Sequence, residues 1–137
     1  MVLVKKRFGI SLSDNLYENL NELSSLLQRN RSELIEEAVK TFINDYKHYL
    51  IPHNCTGVMI ISCESEDMVK SMIDRYSDIA KTYIHTHENN TCIEIIFISG
   101  PSKKIVEFQK GLEKEARCTS RYVPLSMSSF EGEDKGC

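Results

Sequence analysis

The sequence has no tryptophan, only three prolines and six glycines among 137 residues, and no long hydrophobic run. Without an apolar stretch of about 20 residues there is no candidate membrane span. The first charged residues follow an apolar stub that is too short for a secretory signal. The chain is therefore expected to be cytoplasmic. Its hydrophobic fraction of 41% and charged fraction of 27% exclude a disordered or fibrous protein.

Enzyme signatures are also missing. We find no glycine-rich phosphate-binding loop, no nucleophile elbow and no paired catalytic carboxylates. The sequence therefore predicts that the protein is not an enzyme. Five cysteines stand at irregular spacing, and this odd number does not favour a disulfide framework. They are expected to be free thiols in a reducing compartment, mostly filling the core, with a metal-ligand role open.

Near the N-terminus a short segment alternates strictly between apolar and polar residues, which predicts a β-strand at residues 7–12. The apolar face of this strand holds Phe8, Ile10 and Leu12. Two helices are predicted to follow, the first with a stripe of leucines and the second capped by Ser32. One strand and two helices bury too little surface to fold alone. We therefore expect two chains to pair their strands antiparallel as an intertwined dimer.

The polar face of this paired ribbon predicts DNA contacts. A two-stranded ribbon fits the major groove and reads base edges with its outward side chains. The net charge of −3 does not favour general nucleic-acid binding, but basic residues are clustered beside the strand. The candidate DNA-contacting residues are Lys5, Lys6, Arg7, Gly9, Ser11, Arg31 and Ser32. Arg7 suits guanine, whereas Ser32, at a helix start, suits a phosphate.

The pattern changes after residues 49–56, which contain Pro52 and are predicted to be a linker. Strands and helices then follow in the order βαββαβ through residues 57–125, which is typical of a ferredoxin-like fold. The predicted fold class is α+β, with a βαα domain at residues 1–48 and this second domain after the linker. The tail, 126–137, is small, polar and acidic, and it is expected to be disordered.

Three potential metal ligands, His85, His87 and Cys92, lie within eight residues. Alternation places both histidines on one face of a strand, and a four-residue hairpin loop would set Cys92 opposite His87 on that face. Two imidazoles and a thiolate favour nickel, copper, cobalt or zinc over magnesium or calcium. The alternative is two exposed histidines beside an ordinary core cysteine. It is less favoured because all three residues share one face.

Two motifs carry a resemblance to known proteins. Residues 7–48 resemble a ribbon-helix-helix DNA-binding domain, through Arg7, Gly9 and Ser11 on the strand and Asn30-Arg31-Ser32-Glu33 at the second helix. Residues 7–125 as a whole resemble the nickel-responsive transcriptional repressors of the NikR family. That family joins a ribbon-helix-helix domain to a ferredoxin-like domain of the ACT type. The resemblance implies a metal-responsive transcriptional regulator that binds double-stranded operator DNA.

The same resemblance implies an assembly and a ligand set. Members of the family form homotetramers through the C-terminal domains, with nickel at the tetramer interface, and their ligands match His85, His87 and Cys92. Acidic residues at positions matching Glu33 and Glu37 help hold a second cation in the family. A solvated acidic helix face is the simpler interpretation of these two carboxylates.

The sequence departs from the family at the fourth nickel ligand. In the family this ligand is a histidine of a neighbouring subunit, located before the strand with the other two histidines. This chain has no histidine between His53 and His85. A carboxylate such as Asp74 or Asp78, or a water, could take that place, and the site could favour tetrahedral zinc or cobalt. One alternative is a DNA-binding regulator that responds to a small molecule, or to no effector, instead of a metal. The other is a metal-storage or antitoxin-like protein.

Overall fold

A computed structural model describes residues 4–125, and the predicted tail at 126–137 lies outside the described residues. The chain divides between Lys40 and Thr41 into two compact units. The elements in chain order are α1 (Asp14–Leu27), α2 (Arg31–Asp45), α3 (Lys47–Leu50), β1 (Asn54–Cys63), α4 (Glu66–Arg75), β2 (Ala80–Glu88), β3 (Thr91–Pro101), α5 (Ser102–Lys114) and β4 (Thr119–Pro124). The predicted α+β class is confirmed.

The two predicted helices of the N-terminal unit are present, with one difference at a cap. Ser13 caps α1, as its side chain accepts a hydrogen bond from a backbone N–H of the first turn. At α2 the Asn30 side chain accepts from the backbone N–H of Glu33 at 2.9 Å and donates to the Glu33 carboxylate at 2.8 Å. The first of these bonds makes Asn30 the N-cap of α2, and the second holds its side chain against Glu33. The predicted cap at Ser32 is therefore wrong, because Asn30 has a partner three residues on and Ser32 lies inside the helix.

Residues 4–13, the described residues before α1, have no regular secondary structure in the single chain. The apolar residues of the predicted strand are open to solvent there, with Phe8 78% exposed, Ile10 50% and Leu12 39%. No residue between 4 and 40 is fully buried. A strand needs a neighbour for its backbone hydrogen bonds, and no strand of the same unit lies in the described residues. Pairing with a second chain stays a prediction.

The C-terminal unit holds an antiparallel sheet in the order β2–β3–β1–β4. The predicted βαββαβ order is confirmed, although β1 starts inside the predicted linker 49–56 and α4 ends at Arg75. The boundary between the units also differs from the predicted one. His48, at the predicted end of the first domain, is buried and its Nε2 lies 3.1 Å from Gln109 Oε1 on α5. This packing attaches the segment to the second unit.

Alternate residues of the strands divide the sheet into two faces. The inner face meets α4 and α5 in a buried core that includes Met59, Ile61, Ile96, Ile98, Ile105, Phe108 and Leu112. The opposite face, here called the outer sheet face, carries Ile60, Ile84 and Phe97, which are 45%, 60% and 46% exposed. No helix in residues 4–125 is long and apolar enough to cross a bilayer.

Two cysteines form a disulfide, which corrects the expectation of free thiols. Cys63 at the end of β1 is bonded to Cys118 just before β4, and their Cα atoms are 4.4 Å apart. They are 55 residues apart in sequence, and only the sheet order brings β1 beside β4. Irregular spacing along the chain therefore says little about pairing. Among the described residues, Cys92 is the free cysteine.

Candidate metal centre

The hairpin between β2 and β3 sets the relative positions of the candidate ligands. Its turn consists of Asn89 and Asn90, which both have left-handed backbones, with φ of 49° and 63°. Asparagine tolerates this conformation and favours tight hairpin turns. The loop is thus two residues long, not the predicted four, because each strand extends one residue further. The predicted opposition is nevertheless confirmed, since His87 pairs directly with Cys92.

Four side chains converge at the inner face of this hairpin. One ligand atom from each of Glu66, His85, His87 and Cys92 lies within 4.8 Å of the others. The Cys92 Sγ is 3.6 Å from His87 Nδ1. The Glu66 carboxylate approaches both rings, with Oε2 3.3 Å from His87 Nε2 and Oε1 3.6 Å from His85 Nε2. The cluster therefore combines nitrogen, sulfur and oxygen donors from α4, β2 and β3.

A buried carboxylate supports one of the histidines. Glu94 faces His85 across the two strands, is 1% exposed, and its Oε1 accepts a hydrogen bond from His85 Nδ1. With its proton held there, the imidazole has its other nitrogen, Nε2, free to act as a lone-pair donor. That nitrogen is buried and has no hydrogen-bond partner. An unpartnered lone pair directed at a thiol and a carboxylate is what a metal ligand needs before binding.

The electrostatics of the cluster differ between its sulfur and oxygen donors. Burial raises the pKa of the Cys92 thiol, and the nearby carboxylates of Glu66 and Glu94 raise it further. A hydrogen bond from Lys70 lowers the pKa of Glu66, against the opposing effect of partial burial. The cluster therefore offers a carboxylate together with a protonated thiol, and a cation has to displace the thiol proton to bind sulfur.

These residues fit a divalent transition metal. Imidazole and thiolate are the usual ligands of nickel, zinc, cobalt and copper, whereas magnesium and calcium require oxygen ligands almost throughout. The cluster is partly accessible, since the His87 side chain is 55% exposed and that of His85 is 22% exposed. An ion could enter from the His87 side, with Cys92 and Glu94 at the buried end.

The acidic residues predicted as a fourth ligand lie outside the cluster. Neither Asp74 nor Asp78 is among the four converging side chains. Asp78 forms an ion pair with Lys104, and its backbone carbonyl accepts a hydrogen bond from Lys81 at 2.7 Å. Sequence reasoning did not select Glu66. Its only sequence signal is an acidic residue in the first turn of a helix, which the helix dipole alone explains.

The candidate DNA-contacting residues all lie in the N-terminal unit and are exposed, from Lys5 to Ser32. Lys5 forms an exposed ion pair with Glu36 at 3.3 Å, a weak interaction that a phosphate can replace. Arg31 donates to the Tyr17 hydroxyl at 2.9 Å. That contact orients the guanidinium at the start of α2, where backbone N–H groups also suit a phosphate.

The two acidic residues proposed for a second cation share a basic neighbour. Arg29 forms an ion pair with Glu37 and lies 3.7 Å from Glu33. A guanidinium between two carboxylates neutralises much of the charge that would attract a cation. A cation at Glu33 and Glu37 would have to displace Arg29, so this second site stays a prediction.

Comparisons with known proteins follow the same division of the chain. Residues 6–46 match the family described as ribbon-helix-helix protein, copG family. Residues 58–118 match the family described as the NikR C terminal nickel binding domain. The fold and site thus define a class of regulator that joins a ribbon-helix-helix domain to a nickel-binding domain, not a class of enzyme.

Individual relatives lead to the same family. A protein of Methanococcoides burtonii named as a nickel-responsive regulator is 30% identical over 117 residues, covering 77% of this chain and 81% of its own. Similar proteins occur in Pyrococcus horikoshii, 30% identical over 72% of this chain and 77% of that one, and in Desulfotalea psychrophila, 29% identical over 78% and 83%. The chain belongs to the family of nickel-responsive regulators, NikR.

A solved structure supports the fold alone. An uncharacterized protein of Thermotoga maritima superposes with a TM-score of 0.50 and 14% sequence identity. The match covers 54% of this chain and all of the other. At this identity the similarity describes chain topology and says nothing of metal or DNA.

Proposed function

We propose that this protein is a nickel-responsive transcriptional regulator, a repressor in the simplest case, that binds operator DNA in the cytoplasm. The observation that carries the proposal is the cross-strand pairing of His87 with Cys92, with His85 on the same face and its Nε2 without a hydrogen-bond partner. A nickel ion held there would supply a fixed cross-link between these ligands. The rest of the mechanism follows from this chain's own residues.

The DNA-binding step relies on the N-terminal segment. Two chains would pair residues 7–12 into a ribbon whose polar face enters the major groove. Arg7 would donate to guanine, and Ser11 would contact a neighbouring base edge. Lys5 and Lys6 would bind phosphates beside the groove, and Arg31 and Ser32 would do so at the start of α2. Gly9 offers no side chain to a base, so Arg7 has the larger share of direct base recognition.

The regulatory step relies on assembly through the C-terminal units. The outer sheet face supports a homotetramer, because Ile60 and Ile84 both pair with Ile95 across three adjacent strands and form one apolar row. Contiguous exposed apolar side chains mark candidate interaction sites. A tetramer would carry two ribbon dimers. A ligand that fixes their placement lets both bind one operator together, which raises affinity through effective concentration.

The experiment is a mobility shift with the chain's own promoter DNA, with and without nickel. Nickel is expected to strengthen binding, and Arg7→Ala is expected to weaken it about 5- to 150-fold, since a base contact contributes about 1–3 kcal/mol. Lys103→Ala, which removes an exposed charge from α5, is the matched control and should change nothing. A nickel-loaded protein that gives no shift at low salt would contradict the proposal.

A further inference from the structure

The first inference concerns how the metal site is completed, and it rests on the proposed function. Glu66 is the first residue of α4, and its carboxylate reaches over the hairpin to both histidines. Ligand atoms on one ion, at bond lengths of about 2.0–2.3 Å, lie up to about 4.6 Å apart. The observed spread of 4.8 Å is close to that limit. Small side-chain movements would therefore bring all four donors onto one ion.

We propose that Glu66 is the fourth ligand and that the metal site is complete within one chain. A carboxylate from α4 takes the place for which this sequence has no histidine between His53 and His85. Lys70 Nζ lies 2.8 Å from Glu66 Oε1 and holds the carboxylate beside the hairpin. Bound metal would then join the start of α4 to β2 and β3. Binding would not require a neighbouring subunit.

Two variants test this with nickel itself as the probe. Glu66→Gln is expected to weaken nickel binding about tenfold or more and to shift the visible absorption of the nickel or cobalt complex. Glu64→Gln, an exposed acid two residues earlier, is the matched control. Ile84→Glu places a charge on the outer sheet face and is expected to yield dimers. Those dimers should still bind one nickel per chain with wild-type affinity.

The outcomes separate this inference from the proposed function. Suppose that Glu66→Gln binds nickel with wild-type affinity and spectrum, while Cys92→Ala loses binding. This result would overturn the role of Glu66 and leave nickel regulation intact. Loss of nickel from dimeric Ile84→Glu would show that a neighbouring subunit completes the site. Nickel binding unaffected by Cys92→Ala would contradict the proposed function instead. Circular dichroism and thermal melting of each variant would identify any effect of misfolding.

Three cysteines beside the metal cluster give an independent basis for a second inference. Cys63, bonded to Cys118, is also the direct cross-strand partner of Cys92. All three are buried at the inner face. Residues directly opposite in an antiparallel pair have Cα atoms about 4.5–5.5 Å apart, which lies within the range that a disulfide spans. Cys63 therefore has two partners in reach, and one of them is a proposed nickel ligand.

We infer that Cys92 exchanges with this disulfide when no metal is bound. The Cys92 thiol gives up its proton and its sulfur attacks the Cys63 sulfur, a Cys63–Cys92 bond forms, the Cys63–Cys118 bond breaks, and Cys118 leaves as a thiolate that takes up the proton. No external oxidant or reductant is consumed. The exchange removes the sulfur ligand from the metal site, and bound nickel blocks the exchange. Disulfides in a reducing compartment are more often redox-sensing than structural. Oxidation of these cysteines would therefore also change the metal site.

Variants with one cysteine replaced, oxidised with glutathione disulfide, test this inference. In Cys118→Ser, two electrons and two protons pass from Cys63 and Cys92 to glutathione disulfide, which yields two glutathione thiols. This oxidised variant is expected to lose nickel binding and to give a Cys63–Cys92 linked peptide. Oxidised Cys63→Ser should keep nickel binding, as Cys92 then has no cross-strand partner. Each oxidised variant is compared with its reduced form. If oxidised Cys118→Ser still bound nickel as its reduced form does, the inference would be overturned.

Discussion

Replacing Ile10 with aspartate is expected to abolish the N-terminal dimer and, with it, DNA binding. Ile10 is 50% exposed in the single chain, between Phe8 and Leu12 on the same face of the predicted strand. Each of these side chains contributes about 1.5–3 kcal/mol when fully buried, and a symmetric dimer contains two copies. An aspartate instead brings two carboxylates into an apolar contact, at a further cost. The combined loss corresponds to a dissociation constant raised about 1000-fold or more.

The helices of the N-terminal unit also indicate that this unit depends on a second chain. The apolar stripe of α1 has no buried residue, and Leu16, Leu23 and Leu27 are each at least half exposed. A unit of this size with no fully buried residue between residues 4 and 40 buries too little apolar surface to be stable alone. Losing the dimer is therefore expected to unfold residues 4–40 and to reduce the helical circular dichroism signal. The sheet of the C-terminal unit, with its own core, should remain folded.

A matched substitution distinguishes burial from charge. Ser11→Asp introduces the same carboxylate one residue later, on the polar face of the strand. In the Ile84→Glu background it should leave the ribbon dimer intact in analytical ultracentrifugation. In the otherwise wild-type chain it should weaken DNA binding, since the added charge would face phosphates and bases. In the Ile84→Glu background the ribbon is the remaining contact between chains. If Ile10→Asp in that background stayed as stable a dimer as Ile84→Glu alone, the ribbon would not be the dimer contact. The DNA-binding mechanism would then have to be abandoned.

The fold could be predicted largely because hydrophobic periodicity determines it. The spacing of leucines and other apolar residues predicts both helices of the first unit, and apolar segments separated by turn residues predict the βαββαβ order of the second. The predictions failed where the outcome depends on tertiary neighbours. The Cys63–Cys118 disulfide depends on β1 lying beside β4. The predicted cap of α2 at Ser32 fails for a local reason instead, because serine and asparagine are both common caps and the Asn30 side chain bonds to Glu33 three residues on.

Prediction of the metal ligands from the sequence is limited in the same way. His85, His87 and Cys92 could be grouped from sequence because one hairpin holds all three, and hairpin register follows from local rules. Glu66 could not, since its position depends on how α4 packs over the sheet. The supporting role of Glu94 likewise follows from its pairing with His85 across two strands. Local sequence therefore identifies the ligands that share an element and misses those contributed by another.

Cys92→Ala is expected to cause the largest loss of nickel affinity among single substitutions in the C-terminal unit. Even partners that only orient a ligand typically change metal affinity about 10–100-fold, so removing the thiolate should cost more than about 100-fold. The near-ultraviolet charge-transfer absorption of a nickel thiolate should disappear at the same time. Isothermal titration calorimetry with nickel and absorption spectroscopy would measure both effects, with Thr86→Ala, on the opposite face of β2, as the control.

The pH dependence gives this prediction a second readout. Because burial and the neighbouring carboxylates raise the pKa of the Cys92 thiol, the thiol is protonated near neutral pH and nickel must release that proton. Wild-type affinity should therefore rise with pH, by up to about tenfold per unit from this group. In Cys92→Ala that dependence should become shallower by one proton. An unchanged slope would mean that sulfur is not a ligand, and the cluster would then bind metal through its histidines and carboxylate alone.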